Sequence, residues 1–229
     1  MNAKILEIFS SIQGEGPYAG VAQVFVRFFQ CHMHCVWCDT PDSIGDGKRE
    51  YTEYSLPDLW KKLKPLMAGC HSVSLTGGEP LLQADFIAQL APLIKKAKRK
   101  VYLETSGVLY KELKKVISDI DIVAMDIKLP SSTRQRQFWK EHEEFLKIAR
   151  KKEVFIKAVI SSETVSGDIE KAVHLVCRIA PGAMFILQPN TFELGNGVMA
   201  KCTEFHKYCL KSLPNARILP QMHKFLNMR

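Results

Sequence analysis

Residues 31–40, CHMHCVWCDT, constrain this chain more than any other stretch, because three cysteines stand within eight residues as C-x3-C-x2-C. Thiolates at Cys31, Cys35 and Cys38 can meet one metal centre only if the chain between them folds as a compact loop on a rigid support. The spacing suits a loop wrapped round a cube-shaped 4Fe–4S cluster, which ordinarily takes four cysteines. Three cysteines leave one iron open, and an open metal position is where chemistry takes place. A zinc site is the competing reading of the same stretch, with His34 or His32 as its fourth ligand.

The support can be read from hydrophobic periodicity. Short β-rich runs occur at 3–9, 22–29, 72–76, 101–105, 121–127, 154–160 and 183–188. Helical patterns lie between most of them, at 55–68, 83–98, 110–118, 136–151, 168–180 and 199–212. Alternation of this kind, with strands apolar along their length, predicts a parallel α/β sheet. Either a doubly wound sheet or a partial (β/α) barrel satisfies it. No linker or repeat divides the 229 residues, so one domain over 1–229 is expected.

In such sheets the working residues follow the carboxyl ends of strands. The cysteine loop follows the run at 22–29, and four further unusual strings take equivalent places: TGGEP (76–80), ETSG (104–107), DIK (126–128) and QPN (188–190). They should meet at one mouth. Gly77 and Gly78 let backbone approach a ligand closely, although a plain tight turn uses the same residues. The string Glu104-Thr105-Ser106-Gly107 places hydroxyls suited to ribose or carboxylate, Asp126 and Lys128 offer a carboxylate and a cation, and Gln188 offers an amide. The string SIQGEGP (11–17) reads as a hairpin loop whose Gln13 and Glu15 can face the edge of a heterocycle. Arg27 interrupts the apolar run VFVRFF and needs a carboxylate, supplied either by an acidic ligand or by a structural partner. Thr40 can join a hard cation such as magnesium, and His223 in LPQMHK is a secondary candidate.

The formal net charge of +8 concentrates in KKAKRK (95–100) and RKK (150–152), each near a helix end where the dipole favours cations. A docking face for an acidic protein is the functional reading of these runs; no basic–aromatic interleaving points to nucleic acid. No apolar run reaches the length of a membrane span and the amino terminus lacks a signal pattern, so a cytoplasmic protein is expected.

The cysteine spacing with Trp37, followed by Gly-Gly-Glu, resembles the radical S-adenosylmethionine (SAM) enzymes. Taken together, EIFSSIQGEGPYAG, FVRF, CxxxCxWCDT, TGGEP, ETSG, LQPN and LPQMHK are similar to the 7-carboxy-7-deazaguanine synthase (QueE-type) family of the queuosine and 7-deazapurine pathway, over about residues 5–226. The resemblance implies a modified, incomplete (β/α) TIM-like barrel of the radical SAM type and a homodimer. It implies ring contraction of 6-carboxytetrahydropterin to 7-carboxy-7-deazaguanine with loss of ammonia, started by a 5′-deoxyadenosyl radical from SAM and a cluster on Cys31, Cys35 and Cys38. By position, Ile12, Gln13, Gly14, Glu15, Arg27 and Thr76 should meet the pterin, and Thr40 a magnesium. Trp37, Cys38, Asp39, Gly78, Glu79, Ser106, Asp126, Ile127, Lys128, Gln188, Pro189 and Asn190 should line SAM. An acidic reductant such as flavodoxin should dock on the basic runs. Gln30 and His32 depart from the Gly and Asn usual beside the first cysteine. Two rivals remain: an activase forming a glycyl radical on a partner protein, and a zinc-stabilised nucleic-acid-binding module.

Overall fold

The computed structural model describes residues 1–45 and 50–228. Its strands are β1 (Asn2–Ile12), β2 (Ala22–Phe28), β3 (Thr52–Ser55), β4 (Ser72–Gly77), β5 (Lys100–Thr105), β6 (Ile122–Asp126), β7 (Glu153–Ile160), β8 (Met184–Pro189) and β9 (Ala216–Ile218). The helices are α1 (Leu56–Leu66), α2 (Ala84–Lys96), α3 (Tyr110–Val116), α4 (Pro130–Thr133), α5 (Trp139–Ala149), α6 (Ser166–Ile179), α7 (Val198–Cys209) and α8 (Met222–Phe225). All strands join one sheet in the order β3-β1-β2-β4-β5-β6-β7-β8-β9. From β2 through β9 every pairing is parallel, whereas β1 runs antiparallel to both β2 and β3. The end strands β3 and β9 do not meet, so the barrel is open.

Side-chain parity decides between the two expected architectures. Val73 and Leu75, Val101 and Leu103, Val123 and Met125, Ile156 and Ala158, and Phe185 and Leu187 share a single cluster with the buried faces of α1, α2, α3, α5, α6 and α7. The intervening residues Tyr102, Ile122, Ala124, Phe155 and Ile186 form a smaller cluster with Tyr18, Met184 and Leu219 and no helix. Helices therefore cover one face only, as in a barrel, and the inner face stays available for a site. Each fully buried Leu, Ile or Phe on the helical side contributes about 1.5–3 kcal/mol.

A register shift between Ile5 and Glu7 changes the parity of β1. Ala3 and Ile5 lie in the helical core, while Glu7 faces inward opposite Arg27. β3 and β9 were not expected, because TEYS is an exposed edge segment and ARI is three residues long. The helix expected from residue 136 starts at Trp139: Arg134, at φ 55°, caps α4 in the left-handed region, and the chain must begin a new helix after it. Among the described residues no helix is long and apolar enough to cross a membrane.

Candidate functional site

The cysteine loop leaves the carboxyl end of β2 and is stitched to its neighbours by backbone hydrogen bonds. Gln30 N–H donates to Ser43 O (2.9 Å), Cys31 N–H to Ile44 O (3.1 Å) and Glu79 N–H to Gln30 O (2.9 Å). The two glycines of TGGEP serve this stitching. A Cβ on Gly78 would stand 2.3 Å from Gln30 O, and one on Gly77, at φ 138°, 2.1 Å from Phe28 O. The close approach they permit is to the end of β2 and the start of the cysteine loop, and both glycines also line the same cavity as the cysteines.

All three thiols line one cavity of about 500 Å³. Cys31 and Cys35 also pack on Met33, Val108 and Phe138. Burial pushes the Cys31 thiol up to about 12 and raises Cys35, so a cation arriving there displaces protons. Among the described residues no three Cys, His, Asp or Glu side chains are gathered tightly enough to hold a single ion. A 4Fe–4S cluster would meet each cysteine through a different iron and so does not need the tight gathering that a single ion does. Neither His34 nor His32 is among the residues that line the cavity.

Trp37 fixes the exit of the loop by donating its indole N–H to Ser132 O (2.8 Å) and Oγ (2.9 Å). Lys128 Nζ lies 5.0 Å from the centre of the Trp37 ring and 2.7 Å from Asp126 Oδ2. Asp126 Oδ1 and Gln188 Oε1 are buried acceptors without a hydrogen-bond partner, although Lys157 Nζ stands 3.5 Å from the former as an ion pair. Unfilled acceptors in a cavity wall suit the amine and hydroxyl donors of a cofactor such as SAM.

Behind this wall Glu79 is fully buried and saturated. Its carboxylate accepts from Thr105 Oγ1 (2.9 Å), Ser106 N–H (2.8 Å), Ser106 Oγ (2.6 Å) and Leu81 N–H (3.1 Å). It locks TGGEP to ETSG. His142 joins ETSG to DIK in the same way, with Nδ1–H donating to Gly107 O (2.9 Å) and Nε2 accepting from Lys128 N–H (3.1 Å). Burial lowers its pKa to about 4, which keeps the ring neutral for that double role.

The opposite wall comes from β1, β2 and the loop between them. Gln13 donates to Gln23 Oε1 (3.0 Å) and Glu104 Oε1 (2.8 Å), and Glu104 also accepts from Thr76 Oγ1 (2.7 Å) and Ser74 Oγ (3.1 Å). Arg27 Nε pairs with Glu7 Oε1 at 2.7 Å, so the structural carboxylate exists and the guanidinium still lines the cavity. Glu15 pairs with Lys157 and accepts from Gln221 Nε2 (2.7 Å) and Gln188 Nε2 (3.3 Å). Burial by itself would raise Glu15, but Lys157 and the Gln221 hydrogen bond overcome it and hold the carboxyl down at about 2.

The segment around α8 straps the mouth. Met222 N–H donates to Gly14 O (2.8 Å), Gln221 Nε2 to Asp39 Oδ2 (3.0 Å), and Thr191 Oγ1 to Gln221 Oε1 (2.6 Å). His223 lies against Gly14 so closely that a Cβ there would meet Nδ1 at 1.9 Å. Gly14 is thus needed for contact with the chain's own strap.

Of the residues expected at the site, Ile12, Gln13, Gly14, Glu15, Arg27, Trp37, Asp39, Thr40, Thr76, Gly78, Ser106, Asp126, Lys128, Gln188, Pro189 and Asn190 line the cavity with the cysteines. Two do not. Glu79 sits behind the wall as described, and Ile127 points into the helical core at 1% exposure. Sequence reasoning passed over Lys157, His142 and Gln221, and left Glu104 without a role. Lys157 carried a usable signal, being a cation inside the apolar run VFIKAVI, as Arg27 is inside its own. The basic runs lie elsewhere: residues 95–100 end α2 and open β5, and 150–152 precede β7. That is the amino end of the strands, about 20 Å (a strand's length) from the cysteine loop.

The profile of the Radical SAM superfamily matches residues 26–172. The 7-carboxy-7-deazaguanine synthase of Geobacter sulfurreducens is 35% identical over 98% of this chain and 97% of its own. That of Thermoplasma acidophilum is also 35% identical, over 97% and 96% respectively. Among solved structures, QueE from Escherichia coli shares the fold with a TM-score of 0.67 at 22% identity, covering 97% of this chain and 95% of that one.

Proposed function

From the premise that this chain belongs to the Radical SAM superfamily and, within it, to the 7-carboxy-7-deazaguanine synthases, we infer that its cavity contracts 6-carboxytetrahydropterin to 7-carboxy-7-deazaguanine with release of ammonia. The observation that carries the reading is convergence: the cysteine loop and residues of SIQGEGP, TGGEP, ETSG, DIK, QPN and LPQMHK line one cavity on the inner face of an open barrel. Cys31, Cys35 and Cys38 would hold the 4Fe–4S cluster, and cluster and SAM together would supply the one-electron chemistry that begins hydrogen abstraction.

The chain's own groups do the rest. Arg27, already aligned by Glu7, presents its guanidinium to the substrate carboxylate. Glu15 is held ionised as an acceptor for the ring N–H edge, and Gln13 is fixed by Gln23 and Glu104 beside it. Trp37, Asp126, Lys128 and Gln188 line SAM, with the unfilled Asp126 and Gln188 oxygens taking its donors. Thr40, which lines the cavity, would hold a magnesium ion there through its hydroxyl oxygen. The α8 strap limits water at the mouth, as a radical site requires. The reading extends to one domain over residues 1–229, a cytoplasmic homodimer, and an acidic reductant such as flavodoxin. The distance of the basic runs from the cysteines favours docking at the cysteine-loop face, where Val36 is exposed and its N–H reaches Thr133 O, in the segment that carries Arg134 and Arg136.

Anaerobic reconstitution tests it. The expected result is about four irons and four sulfides per chain, with pterin turnover and ammonia release in the presence of SAM and dithionite. A loaded cluster without that turnover points to another radical substrate, and zinc without sulfide removes the enzymatic reading.

A further inference from the structure

Lys157 is a cation on a buried strand, 7% exposed, between Ile156 and Ala158, which are fully buried. Such a charge is tolerated only when closely paired. Its partners come from two different elements. Glu15, in the loop between β1 and β2, forms a hydrogen-bonded ion pair with it, and Asp126 Oδ1, at the end of β6, stands 3.5 Å away. Asp126 in turn holds Lys128 at 2.7 Å, and Lys128 lies over Trp37. The result is a line of alternating charge across the cavity floor, Glu15–Lys157–Asp126–Lys128. It starts among the groups assigned to substrate and ends among those assigned to SAM.

We propose that Lys157 is a positioning residue that keeps Glu15 ionised and aimed at the substrate while holding Asp126 at the cofactor side, so that one ammonium sets the charge state of both halves of the site. The proposal rests on the substrate reading above for what Glu15 meets, and on geometry for the rest. The charged and titratable groups facing Lys157 and its partners are Glu15 from the hairpin loop, Cys35 from the cysteine loop, Tyr102 and Glu104 from β5, Asp126 at the end of β6 with Lys128 just after it, and His223 from α8. With Lys157 present, two ammonium groups balance most of three carboxylates. Without it, Lys128 faces three carboxylates alone, and like charges in a low-dielectric cavity force one of them to take up a proton. Glu15, having lost its direct partner, is the first to do so.

The test uses cluster-loaded protein with Lys157→Met and Lys157→Arg. In Lys157→Met the KM for the pterin should rise about ten- to hundredfold near neutral pH, the weight of one charge-assisted hydrogen bond. That excess should shrink as pH rises and Glu15 ionises, whereas wild-type KM carries no such slope. Lys157→Arg keeps the charge and should restore KM to within a few fold. Iron content and SAM binding by equilibrium dialysis should stay with wild type in Lys157→Arg. A Lys157→Met enzyme with wild-type KM at every pH, or two variants equally impaired, overturns the proposal.

A second measurement needs neither substrate nor a foldable Lys157→Met. Infrared difference spectra of wild type against Glu15→Gln should show Glu15 as carboxylate throughout the neutral range. A carboxylic-acid band at neutral pH that vanishes in Glu15→Gln overturns the positioning role. Wild-type protein that fails to turn over the pterin but shows Glu15 ionised sinks the substrate assignment instead and leaves the Lys157 geometry standing.

Discussion

Replacing Gln30 by glycine should make the protein more stable, against the ordinary expectation that glycine loosens a chain. Gln30 sits at φ 85° without a glycine's freedom. It cannot relax, because its N–H is bound to Ser43 O and its carbonyl accepts from Glu79 N–H, both at 2.9 Å. A side chain in the left-handed region is strained by about 1–2 kcal/mol. Glycine removes that strain but widens the unfolded ensemble by about 0.4–1 kcal/mol. The Gln30 side chain is exposed, so its loss sacrifices little packing. The balance is a gain of about 0.5–1 kcal/mol, or about 1–3 °C in Tm for a chain of this size. Calorimetry of Gln30→Gly beside wild type, both cluster-loaded and both cluster-free, measures it. A Tm equal to or below wild type in both states would refute the strain argument and assign Gln30 a stabilising contact that outweighs its backbone.

Other expectations follow from the same geometry. Glu79→Gln places an amide where four donors converge and should lower the urea stability by about 2 kcal/mol; an unchanged midpoint would remove Glu79 as the lock between TGGEP and ETSG. His142 has its folded pKa lowered from 6.5 to about 4. The unfolded chain therefore binds the proton first, and the stability His142 provides is full above about pH 6.5 and lost as pH falls towards 4, about 3 kcal/mol in all. His142→Gln should flatten the stability curve in that window, and a variant with the wild-type slope would contradict the assignment. Reversing charge at Arg134 and Arg136 should slow flavodoxin-driven turnover several-fold and spare dithionite-driven turnover. The same reversal at Lys96, Lys98 and Lys100 should leave both rates alone, and the opposite pattern would return the donor to the far end of the barrel.

The architecture was legible wherever local pattern and tertiary role coincided. Strands such as 122–125 and 184–187 are apolar on both faces because helices cover one side and neighbouring inner residues the other, and a run of that kind is visible in sequence. Likewise TGGEP, ETSG and QPN advertise themselves by interrupting strand ends. What sequence withheld is pairing across the barrel. Nothing local says that Glu79 spends its oxygens on Thr105 and Ser106, and so lies behind the cavity, or that Ile127 turns to the core while Asp126 and Lys128 turn inward. The place of KKAKRK was hidden for a related reason. The run reads as a helix end, but only the parallel direction of β5 relative to β2 shows that this end lies away from the cysteines.

The extra residue in β1 between Ile5 and Glu7 acts as a parity switch. Up to Ile5 the strand sends odd-numbered side chains to the helices; past the irregularity the same odd positions, Glu7 and Phe9, turn to the cavity. Removing one residue there would bring every later position of β1 round to the wrong face, carrying Ile8 inward and the Glu7 carboxylate into oil. Single-residue deletions along β1 should accordingly fall into two classes. Those in the first few residues disturb the pairing with the exposed edge strand and the core places of Ala3 and Ile5 but leave Glu7 and Phe9 facing the cavity, whereas one at Leu6 should erase the Arg27 pair and the cavity wall together. The amino-terminal strand thus encodes the site less by which residues it carries than by the count of residues before them.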